Sequence, residues 1–211
     1  MFTAATVFSA LELGFIYALV AMALFLSFRI LNIADMSTDG TFTLGCAVSA
    51  TAAVSGHPVL GLFLAIAAGA ASGFVTATLQ TRLGVPSILA GIITNTGLYT
   101  VNLAVMGWSS NLSIYGSDSL FTLCKELFPW EWWAKWHELV VLAVILLVAA
   151  LLVVLFFRTR LGLSIRATGD NADMVRASSI NPSFTITVGL CLSNSLTGLA
   201  GCLIGLLNKS C

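Results

Sequence analysis

The sequence predicts an all-α protein, a polytopic transmembrane bundle of about six spans with its amino terminus outside. Three observations carry that prediction. Hydrophobic types make up 58% of the 211 residues and charged types 9%, against about 45–50% and 25% in a soluble domain. Mean hydropathy is +1.00. Residues 40–81, 83–117 and 177–208 contain no Asp, Glu, Lys or Arg. Each of these stretches is long enough for at least one helix through a hydrocarbon core of ~30 Å, which takes about 20 residues.

The first span covers residues 7–28. No basic segment precedes it and no bounded small-residue cleavage site follows it, so it reads as a retained span. Glu12 lies about one turn inside its outer end, close enough to reach water. The second span, residues 40–55, is short and follows a polar stretch bearing two aspartates, which leaves a continuous and a broken or re-entrant form both open. A Gly56-His57-Pro58 turn leads into the third, residues 58–81, and Gly84-Val85 into the fourth, residues 86–107. Residues 139–157 form the fifth, apolar throughout and predicted to face lipid. The sixth is residues 184–207. Ala65, Gly69 and Gly73 in span three, and Gly189, Ser193, Thr197, Gly201 and Gly205 in span six, recur at every fourth position or close to it. Such ridges let helices approach closely where lipid removes the hydrophobic drive for association.

Orientation follows from the basic residues. Arg29, Arg82, Arg158, Arg160, Arg166 and Arg176 all fall after spans one, three and five, whereas Lys125, Lys135 and Lys209 fall on the opposite side. The excess of Lys and Arg in short loops marks the cytoplasmic face. Trp108, Trp130, Trp132, Trp133 and Trp136 lie between spans four and five, and residues 129–136 are predicted as an interfacial helix at the outer headgroup layer.

Several chemistries are excluded. Zero net charge supplies no electrostatic basis for nucleic-acid binding. Cys46, Cys124, Cys191, Cys202 and Cys211 lack metal spacing, and neither a His-Glu-x-x-His motif nor a P-loop is present. Ala70-Ala71-Ser72-Gly73 is not Gly-x-Ser-Gly, and no later histidine sits at membrane depth to serve as a base. The chain is therefore expected to be no enzyme, with no cofactor and no metal.

Two polar regions remain. In residues 158–183, the longest cytoplasmic interval, Asp170-Asn171-Ala172-Asp173 followed by Met174-Val175-Arg176-Ala177 reads as a short helix. Asp170 is its predicted N-cap, Asp173 its first-turn acid, and Asn181-Pro182 its end. A free helix this short is marginal, so Met174, Val175 and Ile180 are expected to pack against something. The second region runs from Arg29 through Asp35 and Asp39 to Gly40. Two acids beside an apolar segment are costly unless they line water or pair. They border a translocation path, or they rest in the inner headgroup layer near Arg29; both readings stand at this point. Asn95 and Asn102 in span four, and Asn194 in span six, are candidates for the same path or for bonds between helices.

Both regions resemble a known family. The stretches Arg158 to Ala177 and Leu31 to Gly45 are similar to ABC-importer permeases of the branched-chain amino acid and ribose type, nearest the branch paired with amino-acid-type binding lipoproteins. The resemblance covers nearly the whole chain. It implies a single permease domain over residues 1–211 in a bacterial inner membrane, carrying amino acids or similar small polar solutes. Its expected partners are a cytosolic ATPase subunit, an extracytoplasmic solute-binding lipoprotein, a second permease subunit (a homodimer) and membrane lipid. Gly169, Asp170, Asn171, Asp173, Met174, Val175, Arg176 and Ala177 would form the coupling helix that docks on the ATPase. Family members continue beyond the equivalent of span six, so the domain is expected to be incomplete at its C-terminal end. The alternatives are a stand-alone carrier or channel, or a truncated permease without function.

Overall fold

The computed structural model describes residues 4–109, 111–114, 121–122 and 131–211, with the side chains of 4–5 and 131–135 set aside. The helices are α1 (Ala4–Leu24), continued by a π-helical turn (Phe25–Ile30), α2 (Thr38–Val54), α3 (Pro58–Thr81), α4 (Ser87–Val105), α5 (Glu131–Phe157), α6 (Arg160–Asp170), α7 (Ala172–Ala177) and α8 (Pro182–Asn208). Five of them, α1 with its π turn, α3, α4, α5 and α8, are long and apolar enough to cross a membrane. The protein is a multi-pass helical bundle.

α8 is the hub, and small residues put it there. Ala65, Gly69 and Gly73 of α3 lie against Gly198, Asn194 and Leu190 of α8, so the two helices run antiparallel with touching backbones. Gly201 abuts the Phe42 carbonyl, Gly45 abuts Gly198, and Gly205 sits on Cys46, which sets α2 parallel to α8. Ser193 Oγ donates to the Ala23 carbonyl of α1 at 2.7 Å. As a result the α8 span is 72% buried, against 11% for α5. α5 keeps Val144, Leu147, Val148, Leu151 and Leu152 exposed. This apolar face toward the surroundings is stable only in lipid.

The packing directions also gather the charges. α1 and α5 run parallel, with Phe8 edge-on to Trp136 at 4.8 Å near one end and Leu26 beside Phe157 near the other. α3 runs with them and α8 against them, so all six arginines lie at one end of the bundle and Lys209 at the other. The expected interfacial helix over residues 129–136 takes a different form. Residues 131–136 are the first turns of α5 itself, because no breaker separates them from the apolar run; Pro129 and Trp130 lie outside the described residues.

α2 resolves the alternatives left open for the second span. It is one continuous helix of 17 residues, about 25 Å long, and the interruption lies before it. Asn194, which holds Asp35, lies about 18 Å along α8 from Pro182, near the middle of that helix. Thr41 meets Ser72 at 2.6 Å, about 14 Å from the arginine-bearing end of α3. α2 therefore begins near mid-depth, and the non-helical stretch of residues 31–37 supplies the rest of the crossing.

Candidate translocation and coupling sites

An extended stretch at membrane depth must satisfy its backbone within the protein. The π turn begins the exit from α1, with Leu31 N–H donating to the Leu26 carbonyl at 3.0 Å and Ile33 N–H to the Ser27 carbonyl at 2.9 Å. Asn32 then takes the left-handed conformation at φ 55°, which asparagine tolerates better than most side chains. Asp35 follows, only 1% exposed. Its Oδ1 accepts from Ser37 N–H at 2.9 Å and from Ser37 Oγ at 2.6 Å, and its Oδ2 accepts from Asn194 Nδ2 at 2.7 Å. The Thr38 hydroxyl donates to the Asp35 carbonyl at 3.1 Å. One buried carboxyl thus holds the turn before α2 and ties it to the centre of α8.

Asp39, one turn on, faces elsewhere. It lines a cavity of about 310 Å³ between α2 and α4, together with Gly40, Thr43, Asn95, Tyr99, Asn102, Leu103, Met106 and Ser109. Asn102, 5% exposed, donates from Nδ2 to the Gly40 carbonyl at 3.2 Å. Asn95 Oδ1 crowds the open side of Gly40, where a Cβ would meet it at 2.5 Å. The four path residues read from sequence therefore form two pairs: Asp35 with Asn194 in a closed node, and Asp39 with Asn95 in the cavity. Neither aspartate forms an ion pair with Arg29, so the headgroup reading gives way to burial for Asp35 and to the cavity wall for Asp39. Ser37 and Gly40 fell within the polar stretch read from sequence but their partners Asn194, Asn95 and Asn102 did not, and Tyr99 was not legible at all, since these contacts are made between different helices.

At the arginine-bearing end, residues 158–183 fold as two helices, α6 and α7. Thr159 caps α6, its hydroxyl oxygen accepting from Gly162 N–H at 3.3 Å. Gly162 and Ile165 face inward, and the Arg166 guanidinium lies 5.6 Å from the centre of the Phe157 ring. Gly169 packs directly on the Ile30 carbonyl at the end of the π turn. Thr168 Oγ1 and Thr185 Oγ1 form a buried bond of 2.8 Å that joins α6 to the first turn of α8.

The cap expected at Asp170 is made by Asn171, whose Oδ1 accepts from Asp173 N–H at 3.1 Å and Met174 N–H at 3.0 Å. Asp170 is the last residue of α6, because the helical periodicity from Arg160 runs through it. Asn181-Pro182 likewise opens α8 instead of ending α7, with Asn181 Oδ1 accepting from Ser183 N–H at 3.0 Å; the turn between comes at Ser179, φ 63°. Val175 is buried, whereas Met174 is 69% exposed. Arg176 lies 3.8 Å from Asp173, both side chains largely in solvent. Such an exposed pair contributes little to stability.

We expect Thr168→Val or Thr185→Val alone to cost about 1 kcal/mol, since each breaks the bond between the two hydroxyls and leaves the other bonded only to its own helix, and the double variant to cost less than the two together. Thermal unfolding of the four proteins in one detergent measures that coupling. Strict additivity would show that the hydroxyls do not hold α6 to α8.

A multi-pass bundle with an interrupted polar crossing at its centre and a stiff helix pair fastened to one end is built as a membrane permease. The family model described as "Branched-chain amino acid transport system / permease component" matches residues 6–210, and the chain belongs to that family. It is 30% identical over 199 residues to a tyrosine transport system permease protein of Clostridioides difficile (strain R20291), covering 94% of this chain and 63% of that protein. It is 32% identical over 202 residues to an uncharacterised protein of Rickettsia prowazekii (strain Madrid E), covering 95% of this chain and 68% of that one. The chain thus spans about two thirds of the length of these relatives. No solved structure matches it.

Proposed function

We propose that the chain is the membrane-spanning permease subunit of an ATP-driven ABC importer for amino acids or similar small polar solutes in a bacterial inner membrane. It acts with a cytosolic ATPase subunit, an extracytoplasmic solute-binding lipoprotein and a second permease subunit, most simply a second copy. The family membership and the fastening of α6–α7 carry this reading. A motor outside the membrane can move spans only through a stiff element held against them. Gly169 on Ile30 and Thr168 on Thr185 join α6 to the end of α1 and to the start of α8. α7 then offers the motor a free surface of Asp173, Met174, Arg176 and Ala177, with Val175 anchoring it from behind. Nucleotide-driven closure of the ATPase favours one access state and docking of the binding protein the other, so each partner biases one conformation.

The test is uptake into vesicles carrying the chain with an ATPase subunit and a solute-binding protein from the same organism, tyrosine being the first solute to try because it names the Clostridioides relative. We expect ATP-dependent uptake. We also expect cross-linking of Met174→Cys to the ATPase, and ATP hydrolysis without uptake in Met174→Glu. Labelling of Arg166→Cys and Arg176→Cys is expected from the cytoplasmic side only. Flux without the ATPase, driven by a solute or ion gradient, would instead establish a stand-alone carrier. External labelling of Arg166→Cys or Arg176→Cys would remove α7 from reach of any cytosolic motor.

A further inference from the structure

We infer that the groove between α1 with its π turn and α5, at the arginine-bearing end, holds one anionic phospholipid, its phosphate between Arg158 and Arg166 and an acyl chain along the helices. Here α1 and α5 run side by side and leave between them a cavity of about 330 Å³, within the range for small-molecule sites. Phe25 and Ile30 of the π turn form one wall, Val153 and Val154 of α5 the other. Phe25 and Val154 are exposed, so a chain enters sideways from the bilayer. From Ala150 to Phe157 the apolar lining rises about 10 Å along α5, against about 15 Å for one leaflet of a ~30 Å hydrocarbon core. The slot has the depth of a lipid tail.

Its polar end is all cation. Arg158 follows the last residue of α5, and Arg166 reaches the same cavity from α6. The Arg166 guanidinium is held 5.6 Å from the ring centre of Phe157, itself a lining residue. Neither arginine forms an ion pair or a side-chain hydrogen bond among the described residues, and no acid lines the groove. Two uncompensated guanidiniums at the head of an apolar slot suit one anion joined to an apolar tail, and their planar forks match phosphate oxygens. A zwitterionic lipid brings its own ammonium, which no carboxylate is here to receive. Arginines near an anionic leaflet gain about 1 kcal/mol each wherever they stand; the slot joined to this pair is what sets it apart. A lipid held here touches α1, α5 and α6 at once, and Ile30 in its wall is the residue on which Gly169 packs. The site rests on the bundle standing in a bilayer and not on the permease reading.

The test uses the purified full chain in a mild non-ionic detergent, titrated with dioleoylphosphatidylglycerol or dioleoylphosphatidylcholine. Native mass spectrometry reads the affinity of the first bound lipid, and a melting curve confirms that each variant is folded. We expect the phosphatidylglycerol to bind at least about tenfold more tightly, the scale of one charge-assisted hydrogen bond. Arg158→Ala combined with Arg166→Ala is expected to remove that preference. Val153→Trp, which fills the slot, is expected to weaken the phosphatidylglycerol about tenfold, and Arg82→Ala, which does not line the groove, to leave it unchanged. Equal binding of the two lipids would overturn the inference without any variant being made. So would a loss in Arg82→Ala as large as in the paired variant, the mark of a diffuse field. Competition by glycerophosphoglycerol as strong as by the whole lipid would overturn it as a head site without a tail, and oleate binding as tightly as phosphatidylglycerol would overturn it in favour of a fatty acid. ATP-driven uptake without the lipid preference would sink the site and keep the permease; the lipid preference without ATP-driven uptake would do the reverse.

Discussion

Gly201→Ala is expected to destabilise the protein by about 3 kcal/mol, the upper part of the range for an overpacked core. The added methyl meets the Phe42 carbonyl of α2, which belongs to a helix backbone and cannot rotate aside. α2 and α8 must then separate along their length, opening the contacts of Gly45 and Gly205 as well. Gly45→Ala is expected to behave alike, because its methyl meets the Gly198 carbonyl. Gly14 and Gly97 are the controls: nothing lies within 4 Å of a Cβ placed at either. Their alanine variants are expected to be neutral or more stable by up to about 1 kcal/mol, from helix propensity alone. Thermal unfolding in one detergent compares all four. If Gly201→Ala melts with Gly97→Ala, the close contact of α2 with α8 is wrong.

The second large effect belongs to Asp35. Asp35→Leu strands the Ser37 N–H and one Asn194 N–H and leaves the Ser37 hydroxyl only its longer bond to Asn194 Oδ1 at 3.4 Å, in a buried site, and these losses together amount to about 3 kcal/mol. Asp35→Asn is milder in volume but sets an amide donor against the Asn194 amide donor. Asn194→Asp alone sets two carboxyls together. The exchange Asp35→Asn with Asn194→Asp restores one acceptor and one donor and is expected to recover most of the melting temperature lost by either single variant. The double-mutant cycle measures the recovery. Purely additive losses would mean that the 2.7 Å contact does not hold α2 to α8.

Much of the site was legible as a residue list and not as a geometry. Asp35, Asp39, Asn95, Asn102 and Asn194 stand out in the sequence because polar groups inside apolar runs are costly. That Asp35 pairs with a residue 159 positions away, while Asp39 turns to the opposite face toward α4, depends on how α2 is rotated against two neighbours. The small-residue rows were equally visible, but their partners were not. Ala65, Gly69 and Gly73 meet α8, whereas the row on α8 itself, Gly189, Ser193 and Gly201, meets α1 and α2. Local signals misplaced the cap at Asp170 because Asp170 and Asn171 are both good caps, and the choice fell to whichever residue left the preceding helix.

The sequence by itself determined that the chain lives in a bilayer, which end carries the arginines, where six apolar segments lie and which family the two polar stretches resemble; that the second of these is too short to cross by itself came from the structure. The features legible in sequence follow from transfer free energies and charge, which act residue by residue. Tertiary structure alone decided that α2 starts at mid-depth, that one buried carboxyl holds the interruption closed, and that α6 is fastened to both α1 and α8. Each of these is set by backbone-to-backbone contact between distant segments. A glycine or a threonine specifies such contact only once its neighbour is in place.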